Sequence, residues 1–196
     1  MSEIKATKDA TLIDEDQKRG LIPNITTQDE LNEYEERNIV QAVLWADSSR
    51  NFKRDILSVT GLVALHEKMF DKTWTWAGDF RTKDTNIGVS PRDIQNNLKL
   101  LLDDVQFWLQ NNTLSLHEIA IRLHHRLVAI HPFPNGNGRH SRILTNYFLK
   151  FNHAGEFTWS SKDLVRAGDA RDRYISALKK ADDGNFTDLL AFAKEK

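Results

Sequence analysis

Cysteine is absent from this chain of 196 residues, which excludes disulfides and thiolate metal centres and points to a reducing, cytoplasmic setting. Long apolar runs are absent too: no stretch approaches the ~18 residues that a membrane span requires, so no membrane protein is expected. The segment MSEIKATKDATLIDEDQKRG places no apolar stretch behind its charges and does not read as a secretory signal. Charge of one sign is also missing. With 27 basic against 28 acidic residues the net charge is −1, which argues against direct nucleic-acid binding. The balance is uneven along the chain. Residues 1–50 carry 11 acidic and 6 basic residues and the remaining 146 carry 17 and 21, so an acidic N-terminal part precedes a mildly basic body.

Glycine and proline are scarce, at nine and four, which makes their placement informative. Most of the chain reads as helix. Thr27-Gln28-Asp29-Glu30 has capping-box spacing and predicts a helix through about Trp45, and an apolar pattern runs from Leu57 to Phe70. Ser90-Pro91-Arg92-Asp93 is a second helix start, followed by Ile94, Leu98, Leu101, Val105 and Trp108 at spacings of three and four. Ser115-Leu116-His117-Glu118 starts a third helix, with Ile119, Leu123, Leu127 and Ile130 on its apolar face. Ile143, Leu144, Tyr147, Phe148 and Phe151 form the next face, closed by Gly155, and shorter helices over 170–182 and 187–194 end the chain. Residues 1–25 lack periodicity and read as an arm. In residues 74–91, Phe80-Arg81-Thr82 and Asn86-Ile87-Gly88-Val89 flank a polar turn, the pattern of a short hairpin. The expected architecture is an all-α helical bundle with a short β-hairpin flap, one domain over 26–196 preceded by the 1–25 arm.

Two of the four prolines and two of the nine glycines fall in HPFPNGNGRHSR, residues 131–142, between two apolar helical patterns. Pro132 and Pro134 stop one helix, and Gly136 and Gly138 allow a tight turn into the next. Such a turn exposes a helix N-terminus, whose outward N–H groups and macrodipole suit an anion. Arg139 and Arg142, three apart, share a face beside it, and two guanidinium forks suit a polyphosphate. His131, with an ordinary pKa near 6.5, could act there as a general base. The residues alone describe a polyphosphate cradle with a base at its lip; an ordinary helix connection covered by arginine stems is the bland reading.

This segment resembles the Fic family signature HPFx(D/E)GNGRxxR at every fixed position except one. Trp76-Ala77-Gly78, Phe80-Arg81 and Asn86-Ile87-Gly88 resemble the family's flap, so the likeness spans about residues 55–194, closest to the small bacterial Fic proteins known as mobile mystery protein B. The resemblance implies transfer of AMP from ATP to a Ser, Thr or Tyr hydroxyl of a target protein. It implies that His131 deprotonates that hydroxyl, that Gly136, Asn137, Gly138, Arg139 and Arg142 hold the phosphates, and that Phe133 is a buried anchor. The flap residues Thr82, Asn86, Ile87 and Gly88 would align the target segment by strand addition. Gly138 stands where the kinase-like Doc branch has Lys, which favours nucleotidyl transfer. The departure is Asn135, where active relatives place the acid that holds Mg²⁺. A neutral amide oxygen is a poorer ligand for Mg²⁺, so the expected activity is weak, dependent on Mn²⁺ in preference to Mg²⁺, or absent.

Many relatives carry an inhibitory helix, (S/T)xxxE(G/N), whose Glu pairs with the second motif arginine. The nearest match here ends at Glu30 and lacks the final residue, and Glu36 is a weaker candidate; an antitoxin is the other restraint that relatives use. His124, His125, His131 and His140 lack metal-ligand spacing, so zinc is not expected. Two rival functions stand beside adenylyl transfer: a non-catalytic nucleotide-binding regulatory module, favoured by Asn135, and transfer of another phosphate-linked group such as UMP.

Overall fold

Hydroxyl side chains set the early helix starts. Thr27 caps α1 (Gln28–Ser48), Ser49 caps α2 (Arg50–Asp55) and Ser58 caps α3 (Val59–Phe70), each accepting from the N–H three residues on. A cap of this kind contributes about 1 kcal/mol. Pro91–Asp93 forms a 3-10 turn that leads into α4 (Ile94–Asn111), and a Ser115–Glu118 capping box opens α5 (Leu116–Ile130). After the motif loop come α6 (Asn137–Phe151), α7 (Asp169–Asp182) and α8 (Thr187–Lys194). The computed structural model describes residues 18–159 and 168–195, so residues 1–17 of the expected arm lie outside the described residues.

The helical hairpin α5–α6 is the centre of the bundle. α4 packs beside α5, α3 against α6, α1 over α3, and α8 against α5 with α7 on α8. Leu65, Leu98, Val105, Leu123 and Phe148 are among the fully buried side chains of the shared core. No helix among the described residues is long and apolar enough to cross a membrane.

The inner stripe of α1 is Leu31, Glu35, Asn38, Ala42 and Ala46, two of them polar and two small. Asn38 docks it. Its amide donates to the Lys68 carbonyl (3.0 Å) and the Asp71 carboxylate (3.1 Å), and its oxygen accepts from the Lys72 N–H (2.8 Å). Ahead of α1 the chain runs alongside 73–75, with Ile22 N–H on Thr73 O (2.9 Å) and Thr75 N–H on Gly20 O (2.8 Å).

The expected β-hairpin flap is not formed. Among the described residues the only β pairing is an isolated antiparallel bridge between Leu21 and Trp74, and residues 79–90 are an irregular loop. The reason is that the two arms spend their polar groups on the motif loop rather than on each other. Arg81 N–H donates to Pro132 O (2.9 Å) and Val89 N–H to Ile130 O (3.3 Å). The Arg81 guanidinium takes the carbonyls of Val89 and Lys83 that a ladder would need. Smaller corrections concern helix ends. The pattern from Leu57 to Phe70 begins its helix only after Ser58, α1 runs on to Ser48, and α6 stops at Phe151, before Asn152 and a left-handed His153, rather than at Gly155.

Candidate active site

α5 ends where Pro132 denies it an N–H, and His131 takes a left-handed conformation (φ 53°, ψ 59°) as its C-cap. That conformation costs a residue with a Cβ about 1–2 kcal/mol. Arg81 holds it. Its Nε donates to His131 O (2.6 Å) and its Nη2 to Ile130 O (3.3 Å), while its N–H holds Pro132 O, so one residue clamps three consecutive carbonyls. Gly88 lets the flap lie on this clamp. At φ +120° a Cβ there would sit 2.6 Å from Arg81 Nη2 and 2.9 Å from His131 Cβ.

His131 is buried, with Nδ1 3.3 Å from the Val128 carbonyl oxygen. A carbonyl only accepts, so Nδ1 carries the hydrogen and Nε2 is the basic nitrogen. Burial, with the Arg81 charge adding to it, pushes the imidazole down to about 4 against the pull of Val128 O, so the ring is neutral at neutral pH. That is the protonation state a general base needs.

The loop between α5 and α6 is closed by its own asparagine. Asn137 Oδ1 accepts from Phe133 N–H (2.9 Å) and Asn137 Nδ2 donates to Phe133 O (2.8 Å), with both residues buried. The Asn137 side chain is therefore spent on the loop, and only its backbone can serve an anion. Gly136 precedes α6 at φ +76°, and a Cβ there would lie 2.5 Å from two Phe70 ring carbons. Gly138 differs: a Cβ would meet only Arg142 Nη1, at 3.6 Å, so no packing inside the protein demands a glycine. The N-terminus of α6 has no side-chain cap, an arrangement that suits a bound anion.

Both arginines stand in the first turns of α6. Arg142 lies over the Tyr174 ring of α7, 5.7 Å from its centroid, and the Tyr174 hydroxyl is 2.9 Å from His124 Nε2. Arg139 lies 5.0 Å over the Phe70 ring and donates to Glu35 Oε2 at 2.6 Å. The other Glu35 oxygen accepts from Trp74 Nε1 at 2.7 Å. This largely buried ion pair joins α1 to the motif, at the first arginine rather than the second. Glu30 is elsewhere. It is exposed, and one of its oxygens accepts from the N–H groups of Thr26 and Thr27 and the Thr27 hydroxyl, which holds its carboxyl below the usual range.

Sequence reasoning missed two residues. Glu35 is the fourth acidic residue of a charged helix, but it shares the inner stripe of Leu31, Asn38 and Ala42 at spacings of three and four, and that phase was the available signal. His66 lies on the apolar face of α3, stacked on Phe133 with ring centroids 3.7 Å apart. Nothing in the order of residues marks it, because its partners Gly78 and Asn135 come from distant segments.

Thr82, Asn86, Ile87 and Gly88 are all exposed on the flap loop, Ile87 with 43% of its surface in solvent. The donor set at position 135 does not fit a resident Mg²⁺ or Mn²⁺. Asn135 offers one neutral oxygen, and that oxygen already accepts from Gly136 N–H at 2.5 Å. Among the described residues no group of three or more His, Asp or Glu is set to hold a metal.

The "Fic/DOC family" model matches residues 56–149, from the turn before α3 through most of α6. A curated relative named "Protein adenylyltransferase Fic" from Drosophila grimshawi is 32% identical over 118 residues, covering 59% of this chain and 23% of that protein. The chain thus spans less than a quarter of the curated relatives it matches. Among solved structures, Fic-1 of C. elegans superposes with a TM-score of 0.67 at 23% identity, covering 91% of this chain and 51% of that one. The N-terminal Fic domain of a cell filamentation protein from Bartonella quintana, with bound ADP, gives 0.67 at 20% identity, covering 99% and 94%. BepC of Bartonella tribocorum, with bound AMPPNP, gives 0.66 at 21%, covering 99% and 96%. Family model, helical fold and motif loop agree, and residues 56–149 of this chain form a Fic/DOC family domain.

Proposed function

We propose that this chain transfers AMP from ATP to a Ser, Thr or Tyr hydroxyl of a target protein, as a bacterial Fic domain of the mobile mystery protein B type. One observation carries the reading: a neutral, buried His131 and the arginine-flanked, uncapped start of α6 bound the same six-residue loop. In this reading Nε2 of His131 takes the proton from the target hydroxyl, whose oxygen attacks the α-phosphorus in line. The bond from that phosphorus to the bridging oxygen breaks and pyrophosphate leaves. Backbone N–H groups from Gly136 to Gly138 face the phosphates, Arg139 and Arg142 take up their charge, and Gly138 leaves room for the nucleotide to reach the backbone. Thr82, Asn86, Ile87 and Gly88 form the rim along which an extended target segment lies, and their exposure supports that role.

Restraint belongs to the same reading. Glu35 holds Arg139 in the place a phosphate would take, so α1 is a brake that nucleotide or a partner must release. A second reading, favoured by the Asn135 amide folded onto Gly136 N–H, is a nucleotide-binding module without turnover.

Intact-mass spectrometry after incubation with ATP and Mg²⁺ or Mn²⁺, alone and with host lysate, tests both. An AMP-sized adduct that is lost in His131→Ala upholds the transferase. ATP binding with no adduct from wild type or from Asn135→Asp leaves the binding module. A panel of nucleotide donors separates AMP from UMP transfer.

A further inference from the structure

His66 is fully buried on α3 and touches two other segments, the motif loop and the foot of the flap. Its ring stacks on Phe133, with centroids 3.7 Å apart and planes 11° from parallel. Its Nε2 is 3.0 Å from the carbonyl oxygen of Asn135, in the motif loop. Its Nδ1 is 3.0 Å from the backbone nitrogen of Gly78, at the foot of the flap.

These two contacts fix the tautomer. A backbone N–H only donates, so Nδ1 must present a lone pair to Gly78. A carbonyl oxygen only accepts, so Nε2 must carry the hydrogen that reaches Asn135. The opposite tautomer would set two N–H groups against each other at Gly78 and leave the Asn135 carbonyl without its donor.

What the Asn135 carbonyl does next follows from peptide geometry. That carbonyl and the Gly136 N–H belong to one planar unit, and the chain has no cis peptide among its described residues, so the two groups point in opposite directions. Holding the oxygen inward on His66 turns the Gly136 N–H outward, where it now meets the Asn135 side-chain oxygen at 2.5 Å. The residue cannot compensate by shifting, because Gly136 is wedged against the Phe70 ring.

We propose that His66 is a positioning residue: its Nε2–H aims the first backbone donor of the phosphate cradle, and its Nδ1 ties that aim to the foot of the flap at Gly78. The cradle and the target-binding loop are then set by one ring. The nucleotide half of this inference rests on the phosphate reading given above.

Three variants separate the parts of the ring. Glutamine places an amide N–H near the Nε2 position, asparagine places an oxygen near the Nδ1 position, and phenylalanine retains only the stack on Phe133. Thermal melting establishes that each is folded. The readouts are the Gly136 amide resonance in glycine-labelled protein and the affinity for ATP by calorimetry. His66→Gln is expected to keep the Gly136 resonance near its wild-type position and ATP affinity within about threefold. His66→Asn and His66→Phe should move the resonance and weaken ATP by about tenfold, the effect of one misdirected hydrogen bond. A folded His66→Phe protein with unmoved resonance and unchanged affinity overturns the proposal. If the phenylalanine variant does not fold, the glutamine and asparagine variants carry the comparison, and equal resonances in those two overturn it. If wild type itself binds no ATP, the phosphate reading fails while the resonance still decides the role of His66: moved in His66→Asn but not in His66→Gln upholds it, and unmoved in both overturns it.

Discussion

Replacing Glu35 by Gln perturbs one ion pair with little change of shape. The side chain keeps an oxygen for Trp74 Nε1 but turns an amide N–H toward Arg139, which itself only donates. Glu35 retains 5% of its side-chain exposure and Arg139 19%, so this is a largely buried pair, and losing one partner leaves a cation with reduced solvation. The stack of Arg139 on Phe70 and its residual exposure soften that cost, which we place at about 1–3 kcal/mol. The same energy opposes any phosphate that must draw Arg139 away from Glu35. Its removal should therefore tighten ATP by about 5- to 150-fold while lowering the melting temperature by a few degrees. Calorimetric titration of ATP into folded Glu35→Gln and wild-type protein measures the first, and a thermal scan the second. Arg139→Ala serves as the control and should weaken ATP in either background. Equal ATP affinities for wild type and Glu35→Gln, with Arg139→Ala still weakening ATP, would refute the argument that Glu35 and phosphate compete for one guanidinium.

Other expectations follow from the loop and the buried imidazoles. Gly138→Ala should raise stability by up to about 1 kcal/mol, since alanine favours helix and the added Cβ meets only Arg142, yet weaken ATP binding; a variant that binds ATP as wild type does would show that nothing approaches this backbone. Asn135→Asp should increase the yield of AMP adduct in the presence of Mg²⁺, read by intact mass, and an unchanged yield would remove position 135 from the account of activity. His131 and His140 are both held down to about 4 by burial, so the unfolded chain takes up protons below pH 6.5 that the folded one refuses. At about 1.4 kcal/mol per pH unit, each withholds about 3 kcal/mol as pH falls from 6.5 to about 4. Denaturant midpoints should accordingly be lower at pH 5 than at pH 7.5, and equal midpoints would count against the neutral, buried state of these rings.

Much of the bundle was legible because its signals are local. Thr27 with Glu30 and Ser115 with Glu118 form the capping boxes their spacing announced, and the prolines and glycines of 131–142 punctuate the chain where expected. The flap was misread because alternation in Phe80-Arg81-Thr82 says nothing about what a long side chain will do. Arg81 reaches across to the carbonyls of 130, 131 and 89, and the strand pairing gives way to it. Glu35 and His66 escaped for a related reason. Their roles depend on residues 12 to 104 positions away, and a charged residue on an amphipathic helix is read as solvated until its phase against its neighbours is checked.

The reciprocal bonds between Asn137 and Phe133 bear on selectivity. A loop already closed on itself surrenders little conformational entropy when a ligand arrives, so it behaves as a rigid socket. Rigid sockets that grip only phosphate groups treat every nucleoside triphosphate nearly alike. Discrimination between donors must then come from side chains beyond the socket, and swaps in that surrounding wall are where a change of donor should be sought while residues 131–142 stay untouched.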